Sequence, residues 1–250
     1  MIKIKKYFTF TLVFLLTFSF ILIARASIVW EGMKNNQPNK IIIYGEKILQ
    51  EDDYKRYILE NKNIEIDSIS FLLEKHPYIK AARVSIQYPK TIRVDILERE
   101  PIAVLHVKEL QIFLIDNQGY IMPDYKRRTN LSLPILSNLN PEKELYPIGK
   151  EVLSLKVKES IKYLKIINKK YPVFYKKLSE LYLKDDQNLT LVLNDYMPTK
   201  IFLGNKDIEQ KLMILGSFVQ HTKDKKNLSD YKYIDIRYDN QVVAMEKPNV

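Results

Sequence analysis

From Tyr7 to Ala24 the chain runs for 18 residues without a charge. As a helix that stretch would be ~27 Å long, close to the ~30 Å hydrocarbon core of a bilayer. A polar linker, residues 31–38, follows, and beyond it the pattern breaks into short amphipathic units. Ile41-Ile42-Ile43-Tyr44, closed by Gly45, reads as a strand. Tyr54, Tyr57 and Ile58 share a helical face behind the acidic start Glu51-Asp52-Asp53, whose charges complement the positive end of a helix dipole. A second helix beginning near Asp67 or Ser68, either of which can cap it, turns Ile69, Leu72 and Leu73 inward, and Pro77 stops it. Strict alternation comes next: Ala82, Val84, Ile86 and Tyr88 against Arg83, Ser85 and Gln87, then Ile92, Val94 and Ile96 after Pro89-Lys90-Thr91. That is the pattern of a half-buried hairpin. Residues 39–100 therefore predict a β-α-α-β-β unit with both helices on one face of a small sheet.

The second half alternates strands and helices. Residues 111–115, the turn Asp116-Asn117-Gln118-Gly119 and residues 120–122 predict strand, turn and strand, and Leu133-Pro134-Ile135-Leu136 a further element. Between Glu151 and Tyr171 the residues Leu153, Val157, Ile161 and Leu164 fall on one helical face. A helix from Asp207 to His221 repeats the arrangement with Ile208, Leu212, Leu215 and Val219, and Asp207 with Gln210 has the spacing of a capping box. Residues 181–184, 189–193, 200–203 and the run from Tyr233 to Met245 have strand lengths. The predicted fold class is α+β. A tail at 1–6, a transmembrane helix at 7–30 and the linker precede the domain at 39–100; a mixed β domain at 101–246, with helices packed on its sheet, precedes a tail at 247–250.

Charge sets the topology. Lys3, Lys5 and Lys6 precede the apolar stretch and Arg25 alone follows closely, so the bias of Lys and Arg holds the N-terminus in the cytoplasm and sends the rest outward. Tyr7 and Trp30 suit the two interfaces. Ala24-Arg25-Ala26 before Ser27 also has the small-x-small form of a cleaved signal peptide, but the apolar stretch exceeds a usual signal core and Arg25 sits awkwardly there, so an uncleaved anchor is preferred. Both alternatives place the remaining chain outside the cytoplasm. The net charge is +10, of which +6 falls on residues 26–250; with 30 acids among the bases, that surplus reads first as a solvated surface.

Chemistry is hard to find. Cysteine is absent, which removes disulfides and thiolate sites. His76, His106 and His221 stand in no metal-ligand spacing and read as structural or surface residues. Asp235 and Asp239 would lie ~13 Å apart along a strand, too far for a hydrolytic pair. Phosphate-loop and nucleophile-elbow patterns are missing. No catalytic, cofactor-binding or metal residue is assigned, and the chain is expected not to be an enzyme. Lys162-Tyr163-Leu164-Lys165 and Lys169-Lys170-Tyr171 read as the wet side of an amphipathic helix, so no nucleic-acid partner is expected.

Particular residues carry a resemblance that periodicity cannot supply. Leu73 to Val84, with Pro77, Tyr78, Ile79 and Ala82, the hairpin Tyr88-Pro89-Lys90-Thr91-Ile92 and the exit Glu98-Arg99-Glu100-Pro101-Ile102-Ala103 resemble a POTRA domain of the FtsQ/DivIB kind. Tyr78 stands where that family often has tryptophan. The turn Asp116 to Gly119, Leu133-Pro134 and the run Asp235-Ile236-Arg237-Tyr238 extend the resemblance, with Gln241 near a usual glycine. It implies a non-enzymatic inner-membrane divisome scaffold, concentrated at the septum, that binds FtsB/FtsL-like partners by strand addition at its C-terminal sheet edge. Arg237, Tyr238, Asn240, Val242 and Val243 would form that site, with Arg237 a forked donor for a partner carboxylate and Tyr238 a rigid contact. Tyr238 packed in the core is the alternative. Two other functions stand beside it: a POTRA chaperone or adaptor of outer-membrane assembly or secretion, and a membrane-anchored wall enzyme.

Overall fold

The computed structural model describes residues 17–27, 40–61, 66–87, 91–108, 111–124, 132–184, 187–239 and 241–248. Part of the predicted membrane segment is seen as helix α1 (residues 17–27); its other residues lie outside the described ones. Phe18, Phe20, Ile21, Leu22 and Ile23 of α1 are each at least 54% exposed. Among the described residues no helix is long and apolar enough to cross a membrane.

The first unit follows the expected β-α-α-β-β order: β1 (Lys40–Tyr44), α2 (Glu51–Glu60), α3 (Ile69–Glu74), β2 (Ile79–Gln87) and β3 (Thr91–Glu98). Its strand order is β1-β3-β2, with β1 parallel and β2 antiparallel to the central β3. Ile43, Tyr54, Ile58, Ile69, Leu73, Ile92, Val94 and Ile96 form its core. Two local expectations fail. Ser68 makes no side-chain cap, because α3 continues from a 3₁₀ turn over Ile66–Ser68 and Ser68 is itself helical, at φ −92° and ψ −8°. Ile86 is exposed rather than inward; β2 is an edge strand with a neighbour on one side only. Tyr88 lies outside the described residues.

The second unit is a nine-stranded sheet of order β12-β11-β10-β9-β8-β7-β4-β5-β6. The strands are β4 (Pro101–Lys108), β5 (Gln111–Asp116), β6 (Ile121–Pro123), β7 (Ile135–Ser137), β8 (Leu178–Leu183), β9 (Leu189–Leu193), β10 (Lys200–Gly204), β11 (Tyr231–Asp235) and β12 (Val243–Glu246). Strand β4 was not anticipated, although Ala103, Leu105 and Val107 alternate inward along it. Helices α4 (Leu155–Lys170) and α6 (Ile208–Thr222) bury Val157, Ile161 and Leu164, and Ile208, Leu212 and Leu215, in the core of the sheet. Between α4 and β8 a short α5 (Pro172–Lys177) begins with proline at its first turn, where the missing amide costs nothing. Leu153 is not on the face of α4: Ser154 is the N-cap and the helix starts after it, leaving Leu153 exposed. The Asp207–Gln210 capping box is also absent, since Asp207 is left-handed at φ 49° and makes no side-chain cap. Tyr163 is buried while Lys162 and Lys165 are exposed, the wet face that the sequence predicts.

The sheet's other face meets the first unit. Phe113 and Ile115 belong to the core under the helices, whereas the intervening Leu114 and, on the next strand, Met122 join the cluster of Leu73 and Tyr78. Polar contacts lock this joint. Arg99 pairs with Asp116 at 2.9 Å, both nearly buried, and its guanidinium lies 3.7 Å from the centre of the Tyr120 ring. Asp116 also accepts the amides of Gln118 and Tyr120, and the Tyr78 hydroxyl donates to the carbonyl of Pro123 at 2.6 Å. Just before Arg99, the buried carboxylate of Glu98 accepts the amides of Lys47 and Ile48 at 2.9 and 2.7 Å and the hydroxyl of Tyr54.

Candidate functional site

The nine-stranded sheet ends at β12. It pairs antiparallel with β11, bringing Tyr233 opposite Met245, Ile234 opposite Ala244 and Asp235 opposite Val243. No strand among the described residues lies on its other side. All four residues of β12 are exposed, so neither helix layer nor first unit covers it. Such an edge presents a row of backbone donors and acceptors that another chain can continue.

The turn before this strand is braced and its far end is held, although its faces are not. At the turn that leads into it, Arg237 wraps back on Asp235: its Nε donates to Oδ1 at 2.9 Å and its terminal nitrogen to Oδ2 at 2.6 Å, while the Arg237 amide donates to Oδ1 at 3.0 Å. The guanidinium also lies over Phe202, 5.3 Å from the ring centre. Burial alone would push the Asp235 carboxyl up, but these hydrogen bonds and the charge of Arg237 hold it below the usual carboxylate range. At the far end, Lys247 donates from its amide to the carbonyl of Asp230 at 2.8 Å and from Nζ to Asp195 at 3.2 Å, and Glu246 pairs with Lys226.

The residues singled out from the sequence fall here unequally. Tyr238 is half exposed, which excludes the core alternative. Arg237 is half exposed too, but its fork is engaged by Asp235, so it shapes the turn before it meets anything else. Val242 is partly buried against the sheet's core, and Val243 opens β12 with its side chain exposed. Asn240 lies outside the described residues. The sequence reading missed Asp195, Phe202, Glu246 and Lys247. Asp235 and Arg237 sit at i and i+2 on an extended segment and so share a face, a local signal that could have shown their pairing, where the sequence reading gave the Arg237 fork to a partner carboxylate.

Away from this edge, His76 is the buried histidine, its ring edge-on to those of Tyr54 and Tyr57 at 5.2 and 4.8 Å. His106 and His221 are exposed.

A family model described as "FtsQ/DivIB, C-terminal related" matches residues 100–245, from the joint beside Arg99 into β12. The chain belongs to the FtsQ/DivIB family. Its FtsQ relatives include the "Cell division protein FtsQ" of Rickettsia felis, 26% identical over 206 residues that cover 80% of this chain and 69% of that protein. The protein of that name from Anaeromyxobacter sp. (strain K) is 23% identical over 174 residues, 70% of this chain and 57% of its own. That of Bartonella bacilliformis is 35% identical over a shorter 81 residues, 32% of this chain and 24% of its own. The FtsQ/DivIB match thus takes in the whole nine-stranded sheet except the last residue of β12.

Proposed function

We propose that this FtsQ/DivIB protein is a bitopic inner-membrane scaffold of the cell-division machinery, concentrated at the septum. Its N-terminus is cytoplasmic, its first unit is a POTRA domain, and it is not an enzyme. The relatives named as cell-division proteins support the process. The uncharged run Tyr7 to Ala24 and the uncovered apolar side chains of α1 support the anchor. Partners of the FtsB/FtsL type dock by adding a strand to β12, which Val243 opens, with Tyr238 and Val242 flanking it and Arg237, through Asp235, setting the turn.

The observation that carries this reading is that β12 is pinned at its far end by Lys247 and Glu246, with Val242 packed on the core at its start, and is covered on neither face. Pre-ordering a strand lowers the entropy lost when a second one pairs with it, and alternate side chains then supply specificity. Replacing Tyr238 with Ala is expected to weaken partner binding by ~1–4 kcal/mol, the range of an aromatic contact at an interface, with the circular dichroism unchanged. Binding assays on the full-length protein in detergent check this; unaltered affinity would remove Tyr238 from the site.

A further inference from the structure

A second surface lies on the helical layer, on elements other than β12. The end of α4, the short α5 and one flank of α6 enclose an open groove of about 730 Å³. Its walls are apolar, and two of their side chains are unusually exposed for their kind: Val173 on α5 at 72% and Met213 on α6 at 57%. Val173 and Met213 thus leave apolar surface open on two helices that face each other across the groove.

Gly216 lines the groove in mid-helix. A Cβ at this position would stand 3.7 Å from Cε1 of Tyr171, which is ordinary van der Waals contact. Nothing in the fold requires glycine there, and in a helix interior it costs ~1 kcal/mol relative to alanine. What the missing side chain provides is depth between α6 and Tyr171.

Charge selects the occupant. Lys170, Lys177 and His221 line the groove and, among the described residues, no carboxylate does. Lys170 pairs with Glu209 outside it at 2.8 Å, while Lys177 has no ion pair among the described residues. A second copy of this chain would bring lysine against lysine on a molecule whose surplus is already positive. Two helical walls accept the ridges of a third helix.

We infer that this groove docks an amphipathic helix of another protein, carrying an apolar stripe at i, i+3 or i+4, and i+7, with acidic residues toward Lys177. It lies on elements other than β12 and does not depend on the edge reading.

The test places a photoreactive phenylalanine analogue at Val173 or Met213 of the full chain in dividing cells, with Lys232 on β11 as the exposed control, and maps adducts by mass spectrometry. Both groove positions are expected to label the same partner segment, apolar on one face and acidic beside it. Gly216→Leu, which fills the groove, and Lys177→Glu, which reverses its charge on the surface, are each expected to reduce adducts ~10-fold. Circular dichroism, and binding at the β12 edge, report whether Gly216→Leu keeps its fold; Lys177→Glu keeps the inference testable if it does not. Adducts to lipid, to a second copy or to a basic segment would overturn it, as would adducts no stronger than the control or unaffected by Lys177→Glu.

Discussion

At the scale of single residues the first unit is organised around buried polar groups. Glu98 ties the segment from Lys47 to Leu49 to the end of β3 by accepting its amides. His76 sits among Tyr54, Tyr57 and Tyr78, and its Nδ1 accepts the amide of Tyr78 at 3.3 Å. Burial pushes its pKa down to about 4, only partly opposed by the charge of Asp53. The unfolded chain takes up this proton near pH 6.5 and the folded chain only near 4, so the unfolded state binds more protons in between. Stability contributed by neutral His76 is therefore full above about pH 6.5 and is lost as pH falls towards about 4. Urea titrations across that window should show a slope that His76→Leu flattens; an identical slope in the variant would contradict the buried neutral ring.

At the scale of elements, strong periodicity was legible and local geometry was not. The hairpin of β2 and β3 and the helices α4 and α6 followed from period two and period 3.6, because each buries one face on a sheet. Strand β4 escaped notice because Pro101 opens it and its neighbours Glu98 to Ala103 carry a motif read as a domain exit. Ser154 and Asp207 show why helix starts are less readable: one caps where Leu153 was expected to be helical, and the other adopts a left-handed backbone. The proposed binding edge was half legible. Arg237, Tyr238 and Val243 stood out by resemblance, but the staples of β12 join residues 52 apart, Asp195 and Lys247, which no local pattern connects. Because β12 buries no side chain, its order rests on the ladder to β11 and on these end contacts. Lys247→Ala is thus expected to speed amide exchange in β12 while changing global stability by less than ~1 kcal/mol. Exchange followed by NMR or mass spectrometry checks it, and unchanged β12 protection would argue against the staple.

At the scale of the whole molecule, the two units meet through a shared core and a buried ion pair rather than a loose linker. Leu114 and Met122 of the second sheet pack into the first unit's cluster, and Arg99 with Asp116 closes the joint. None of this was readable from local sequence, because Arg99 and Asp116 lie 17 residues apart, and Tyr78 and Pro123 lie 45 apart. Removing one member of a buried pair leaves the other uncompensated, so Arg99→Ala is expected to cost ~3–5 kcal/mol in urea unfolding. A loss below ~1 kcal/mol would mean that the apolar contacts alone hold the units together. With that joint intact, a partner docked at β12 as proposed would be held in a fixed orientation to the first unit.

The most direct measurement is amide hydrogen exchange over residues 241–248 of the full-length protein, with and without a saturating extracytoplasmic fragment of an FtsB/FtsL-type partner. In an antiparallel pair alternate amides of β12 face away from β11. Strand addition protects those outward amides on binding, and Tyr238→Ala diminishes the effect. Partner binding that leaves their exchange unchanged would contradict docking at this edge.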